Sequence, residues 1–117
     1  LATSSAASDV YKRQPNGFKL PLDLDSGEVI SARWKQWLKH DPVNLVSRYK
    51  KNLNSLKALY IDCVLTDQFH IHFGTRHLAQ KLKLNSIKHT YEEFDGTHSG
   101  IDHRLDISLP FLAQRLK

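Results

Sequence analysis

The chain has no methionine, a single cysteine (Cys63) and no apolar run approaching the roughly 18 residues a membrane-spanning helix needs. One cysteine excludes an internal disulfide and leaves the redox compartment unmarked. No positively charged segment followed by an apolar one opens the chain, so no secretory signal is read there. Blocks of basic residues with interleaved aromatics are also missing. Lys35, Lys39, Arg48, Lys50, Lys51, Lys57, Arg76, Lys81 and Lys83 are dispersed among aspartates and glutamates, so the net charge of +5 reads as a solvated basic surface. Neither a nucleic acid nor a membrane is expected as a partner. No internal repeat is present, and nothing in the sequence sets an oligomeric state. A chain that starts at Leu1 without methionine is expected to be a fragment of a longer protein, and a cytoplasmic location is the expectation.

What is present is ordinary for a soluble domain: 40% hydrophobic and 25% charged residues in a chain of 117. Residues 1–14 share no pattern with the rest. Leu1–Ser8 is small and polar and cannot bury enough surface to offset its ordering entropy, and Ser8–Gln14 resembles translated sequencing-adapter read-through. Residues 1–14 are therefore expected to be a disordered or non-native leader, and 15–117 the folded part.

Along that part, Pro21 blocks a helix and makes Gly17–Leu24 an extended loop. Ser26 then reads as the N-cap of a helix whose apolar residues Val29, Ile30, Trp34, Trp37 and Leu38 recur at spacings of three and four; both tryptophans read as packing residues. Asp41-Pro42 starts a short helix carrying Val43, Leu45 and Val46, and Asn52 and Asn54 flank a turn. Leu56–Asp62 is a near-continuous apolar run, as expected for an interior parallel strand covered on both faces. A loop over Val64–Gln68 leads to a helix over Phe69–Leu84, with Phe69, Phe73, Leu78, Leu82 and Leu84 facing inward. Ile87–Phe94 is the second strand, Phe94–Gly100 a turn, and Ile101–Leu116 an amphipathic helix through Leu105, Leu109, Leu112 and Leu116 that Pro110 should kink or split. This order implies an α/β fold with parallel strands, flanking helices and right-handed crossover.

In open parallel sheets functional groups collect beyond the C-terminal ends of the strands. Asp67 lies in the loop after the first strand and His98 in the glycine-flanked turn after the second. An acid followed in sequence by a histidine is the order in which α/β-hydrolases place two members of a catalytic triad. The histidine moves the proton of a serine, and the carboxylate holds the ring and stabilises the imidazolium. Asp62 competes for the acid role, but it ends the strand, where its carboxylate suits loop amides; Asp67 is deeper in the loop. His70, His72, His77, His103 and Cys63 could suggest a metal site, yet residues two apart on a helix point in different directions, and no metal or other cofactor is expected. Cys63 reads as packing and not as a nucleophile, and Arg104 and Asp106 as surface or loop-anchoring contacts.

The blocks Ile61-Asp-Cys-Val-Leu-Thr-Asp-Gln-Phe69 and Tyr91-Glu-Glu-Phe-Asp-Gly-Thr-His-Ser-Gly-Ile-Asp-His-Arg-Leu-Asp-Ile-Ser-Leu-Pro-Phe-Leu112 resemble the C-terminal third of the esterase D and enterochelin-esterase family of α/β-hydrolases, most of all its bacterial enterochelin-esterase-like members. The resemblance spans about residues 17–117. It implies that 15–117 is the C-terminal portion of an α/β-hydrolase fold with an incomplete sheet. It also implies a carboxylic-ester hydrolase acting on a small-molecule ester, with Asp67 as the acid and His98 as the base. Two departures stand out. Val64-Leu65 replaces the glycine usual after the position of Cys63, and the Gly-x-Ser-x-Gly elbow and oxyanion loop, which lie upstream in the family, are not in this chain. The chain by itself is then expected to be inactive. The alternative is a non-catalytic α/β binding protein with a basic surface.

Overall fold

In the computed structural model the described residues, 19–117, form a mixed α/β structure with a two-stranded parallel sheet and several helices. The expected leader, 1–14, lies outside the described residues. The chain divides into two compact units, one ending at Leu45 and one over Val46–Lys117.

In the first unit a tight turn replaces the expected start of the helix. Asp23 Oδ1 accepts the backbone N–H groups of Asp25 and Ser26 and the Ser26 hydroxyl. Gly27 adopts φ +75°, a left-handed value cheap only for glycine, and the chain doubles back to form an antiparallel bridge between Leu22 and Val29. Ser26 is therefore a turn residue, not a helix cap. Helix α1 runs over Ser31–Leu38, after Ile30 in extended conformation. Trp34, expected to pack inward, is 45% exposed, and Trp37 is half-buried.

Helix α2, Pro42–Arg48, follows as expected from Asp41-Pro42: the Asp41 carboxylate accepts the Val43 N–H at 3.1 Å, and the Pro42 ring occupies a position that needs no donor. Its Val46 belongs to the core of the second unit. The expected turn around Asn52 and Asn54 is instead a short helix, α3, Lys50–Asn54. Ser55 closes it, its N–H reaching the carbonyls of Lys51 and Asn52 and its hydroxyl the Asn52 carbonyl at 2.7 Å.

Strand β1 is Tyr60–Val64 and strand β2 is Thr90–Phe94, parallel and in register from Tyr60↔Thr90 through Asp62↔Glu92 to Val64↔Phe94. Both begin later than their apolar runs suggest, because strand structure exists only where both chains are extended side by side. The first N–H to join is that of Thr90, which donates to Leu59. Pairing with Glu93 and Phe94 also carries β1 two residues beyond Asp62. Alternation puts Ile61, Cys63, Tyr91 and Glu93 on one face and Tyr60, Asp62, Val64, Glu92 and Phe94 on the other.

Helix α4, Ile71–Leu84, covers the first of these faces and buries Leu82, Ala79 and His72. Leu82 packs with Val46 and Ile87, joined by Leu53, Leu59, Ile61 and Leu78. Of the inward face expected for this helix, Leu82 and Leu78 do pack in the core, whereas Phe69, Phe73 and Leu84 are exposed. His70 sits at φ +58°, outside the helical region, so the helix starts at Ile71 and Phe69 lies before it; the helix buries His72, Ala79 and Leu82, with Thr75 and Leu78 half-buried.

After β2, one 3-10 turn, Asp102–Arg104, leads into helix α5, Leu105–Leu116. The helix continues through Pro110 and is not split by it. Pro110 is exposed, so the carbonyl it leaves unbonded, that of Asp106, can be hydrated. Its sheet-facing side is also shifted from the expected leucine stripe. Leu105, Leu109 and Leu116 are exposed, whereas Phe111 and Leu112 are half-buried and the Phe111 ring packs on Tyr60 at 5.0 Å between centroids. No helix among the described residues is long and apolar enough to cross a membrane.

The phase of α4 has a direct test. Leu82, 1% exposed, should cost about 2–5 kcal/mol of stability on replacement by alanine, whereas Leu84→Ala, at 74% exposure, should stay within about 0.5 kcal/mol. Urea unfolding of the two variants reads both values; equal losses would contradict the observed face.

Candidate functional site

Because β1 and β2 are adjacent and parallel, the loops after Val64 and Phe94 leave the sheet at the same end. The Leu65 N–H donates to the Phe94 carbonyl at 2.8 Å, joining the two loops at their roots. The first loop folds around Asp67. Its Oδ1 accepts the Phe69 N–H at 2.8 Å and, more distantly, the Ile71 N–H at 3.4 Å, while its carbonyl accepts the His70 N–H. Its residue is 3% exposed.

The other carboxylate oxygen, Oδ2, receives the Nδ1–H of His98 at 2.7 Å. The two sequence-expected site residues are thus brought into direct contact from loops that lie 31 positions apart. An ionised carboxylate can only accept, so Nδ1 carries the hydrogen and Nε2 the basic lone pair. The His98 side chain is 43% exposed, and Nε2 bonds to no described residue. This leaves a proton acceptor at the surface, backed by a buried negative charge.

Burial alone would push the Asp67 carboxyl up. The hydrogen bond from His98 and those from the Phe69 and Ile71 amides outweigh it, and the carboxyl is held below its ordinary 3.8. Asp67 is therefore fully ionised at neutral pH, as a histidine-orienting acid must be.

Gln68 and Phe69, which sequence reasoning did not assign to the site, adjoin the pair, and Gly100, one of the two glycines expected to flank the histidine, shapes its turn. Gln68 Oε1 accepts the backbone N–H of His98 at 3.1 Å. The Phe69 ring, 66% exposed, meets the imidazole edge-on at 4.9 Å. Gly100, at φ +74°, turns the chain back toward the sheet, a conformation costly for any residue with a side chain. Gln68 and Phe69 adjoin Asp67 in sequence, but nothing in their identity signals that they face a residue in another loop.

Asp62, the competing acid, is elsewhere. It was expected to bond loop amides, but accepts Arg104 Nε at 2.8 Å on the sheet face under α5. Among the described residues the positive-φ non-glycines are His70 and Ser86, so Val64 and Leu65 are not left-handed. Cys63 is a buried free thiol. His70 precedes α4, so it does not share a helix with His72 as the sequence suggested; their rings are 5.9 Å apart, edge to face. Among the described residues no group of three or more His, Cys, Asp or Glu side chains is placed to hold a metal ion.

The class defined so far is a mixed α/β chain that presents an acid–histidine pair at the C-terminal ends of two adjacent parallel strands. No protein-family model matches the chain, and no curated protein matches it.

The carboxylates around the sheet give the fold a definite acid response. Asp67 is held below 3.8, and Glu93, bonded by Arg76 and Tyr91, is lowered from 4.5 to about 2. Groups held down in the folded state contribute stability that is complete above their unfolded values and lost as pH falls through the folded ones. The urea midpoint should therefore fall between pH 4.5 and about 2. In an Asp67→Asn/Glu93→Gln double variant that fall should be shallower. An unchanged slope would refute the assignment.

Proposed function

We propose that this chain supplies the acid and the base of a serine carboxylic-ester hydrolase of the esterase D and enterochelin-esterase type, as the C-terminal portion of an α/β-hydrolase fold. The observation that carries the reading is the 2.7 Å bond from His98 Nδ1 to buried Asp67, formed between loops at the same end of two parallel strands. The exposed Nε2 and the ionised acid match what the base of a triad requires. In this reading the serine nucleophile and the oxyanion donors come from residues other than those described.

The chemistry follows from the geometry. A serine hydroxyl within reach of Nε2 gives its proton to His98 as its oxygen attacks the ester carbonyl. Asp67 stabilises the imidazolium without taking the proton. The tetrahedral intermediate collapses, and His98 returns the proton to the departing alkoxide. Water then enters and gives a proton to the same nitrogen as its oxygen attacks the acyl-serine; the acid leaves as His98 passes that proton to the departing serine oxygen. The substrate class is a small-molecule ester. The exposed Phe69 ring beside the imidazole would contact an apolar acyl or alcohol group.

The test begins with the coding sequence upstream of Pro15, where the reading requires an in-frame Gly-x-Ser-x-Gly between a strand and a helix. In the protein so encoded, His98→Ala should lower hydrolysis of a nitrophenyl ester by about 10⁶-fold, and Asp67→Asn by about 10⁴-fold. A complete gene without the elbow, or retained hydrolysis in the His98 variant, would sink the proposal.

A further inference from the structure

His98 is exposed and sits in a loop with few attachments. Within Asp95–Ile101, the bonds from His98 to Asp67 and Gln68 are the side-chain hydrogen bonds that join the loop to the acid loop. Thr97 bonds Ser99 inside the loop itself, and the His103 ring bonds the Gly100 carbonyl just beyond it. Two bonds of this kind do not hold a histidine in one orientation unless the ends of its loop are held too. The first end is held by β2. The second enters the 3-10 turn, and at that turn stands Arg104.

The Arg104 side chain is 13% exposed, and its Nε and Nη2 donate to three partners. Nε donates to Asp62 Oδ2 at 2.8 Å, and Nη2 donates to Glu92 Oε2 at 2.8 Å and to the Tyr60 hydroxyl at 2.9 Å. Tyr60 in turn donates to Glu92 at 2.7 Å. The guanidinium lies over the Phe94 ring, 4.4 Å from its centroid. Asp62 and Glu92 are register partners, so one planar cation bridges both strands at the same level. Phe94 is the last residue before the histidine loop. The side chain that closes the loop is thereby stacked on the residue that opens it.

We infer that Arg104 is a positioning residue for His98, clamping both ends of the histidine loop to the sheet so that the imidazole meets Asp67. The inference deepens the role of His98 as base and rests on that reading. Asp67 needs no such device, since its own loop amides hold it.

The opposite face provides the control. Arg76 on α4 makes a two-pronged ion pair with Glu93, at 2.6 and 2.7 Å, and touches neither catalytic loop. Arg104→Met and Arg76→Met each remove one such cation while keeping an apolar stem.

The experiment is NMR on the full chain, following the His98 Nδ1-bound proton and the carboxyl carbon of Asp67 through an acid titration. Arg104→Met should abolish the Nδ1 proton signal. It should also raise the Asp67 midpoint, since burial persists while the bond from His98 is lost. Arg76→Met should leave both unchanged at whatever stability it has. If Arg104→Met does not fold, Glu92→Gln weakens the same clamp, and the Nδ1 proton should exchange about fivefold faster, the weight of a single hydrogen bond. Unchanged signals in the clamp variants, or equal changes in Arg76→Met, would overturn the inference. These signals require no nucleophile, so they can fail while ester hydrolysis stands, and hydrolysis can fail while they stand.

Discussion

The in-frame parallel pairing of β1 and β2 is the constraint on which everything else in the second unit depends. Parallel strands send their exit loops to the same end of the sheet, and the Val64↔Phe94 partnership makes those loops start level. A slip of β2 by one residue would exchange its two faces, turning Glu92 toward the α4 core and parting it from Asp62 and Arg104. It would also displace the histidine loop along the sheet by about 3.3 Å, more than the Asp67–His98 bond can tolerate.

The register is supported from both faces in a crossed manner. Helix α4 follows β1 but pairs through Arg76 with Glu93 of β2. The turn before α5 follows β2 but pairs through Arg104 with Asp62 of β1. Each ion pair therefore ties a connection to the strand it did not come from. Isolated surface ion pairs contribute little, but these are multidentate. Each is joined by a tyrosine hydroxyl whose proton is held firmly: burial and the bond to Glu92 push Tyr60 up to about 12, and burial and the bond to Glu93 push Tyr91 higher still. Neither tyrosine loses its donor in the range where a histidine base works.

Asp67 shows how one side chain can serve structure and chemistry together. One oxygen organises its own loop by taking the Phe69 amide, which prevents the helix from starting there, and the other is left free to face a distant loop. The same arrangement explains why Phe69 leaves the expected inward face of α4: it belongs to the Asp67 turn and projects beside His98, while Leu82, expected to face inward, reaches the core.

What could be read from sequence was local and chemical in kind: the two strands and the helix between them, the Asp41-Pro42 helix start, and Asp67 and His98 as the acid and histidine of two loops. Those follow from apolar patterning and from residue types that act over a few positions. Strand limits, helix phase and the partners of Asp62, Glu92 and Arg104 did not, since each depends on a residue far along the chain. The Ser26 turn is a local case that also escaped, because Asp23 gathers the amides of Asp25 and Ser26 into a turn where the helix is expected to begin. By itself the sequence determined which groups are available for proton transfer. Only the tertiary structure decided that Asp67 and His98 meet at 2.7 Å, because a parallel register and a buried carboxylate, not any property of either residue alone, bring them together.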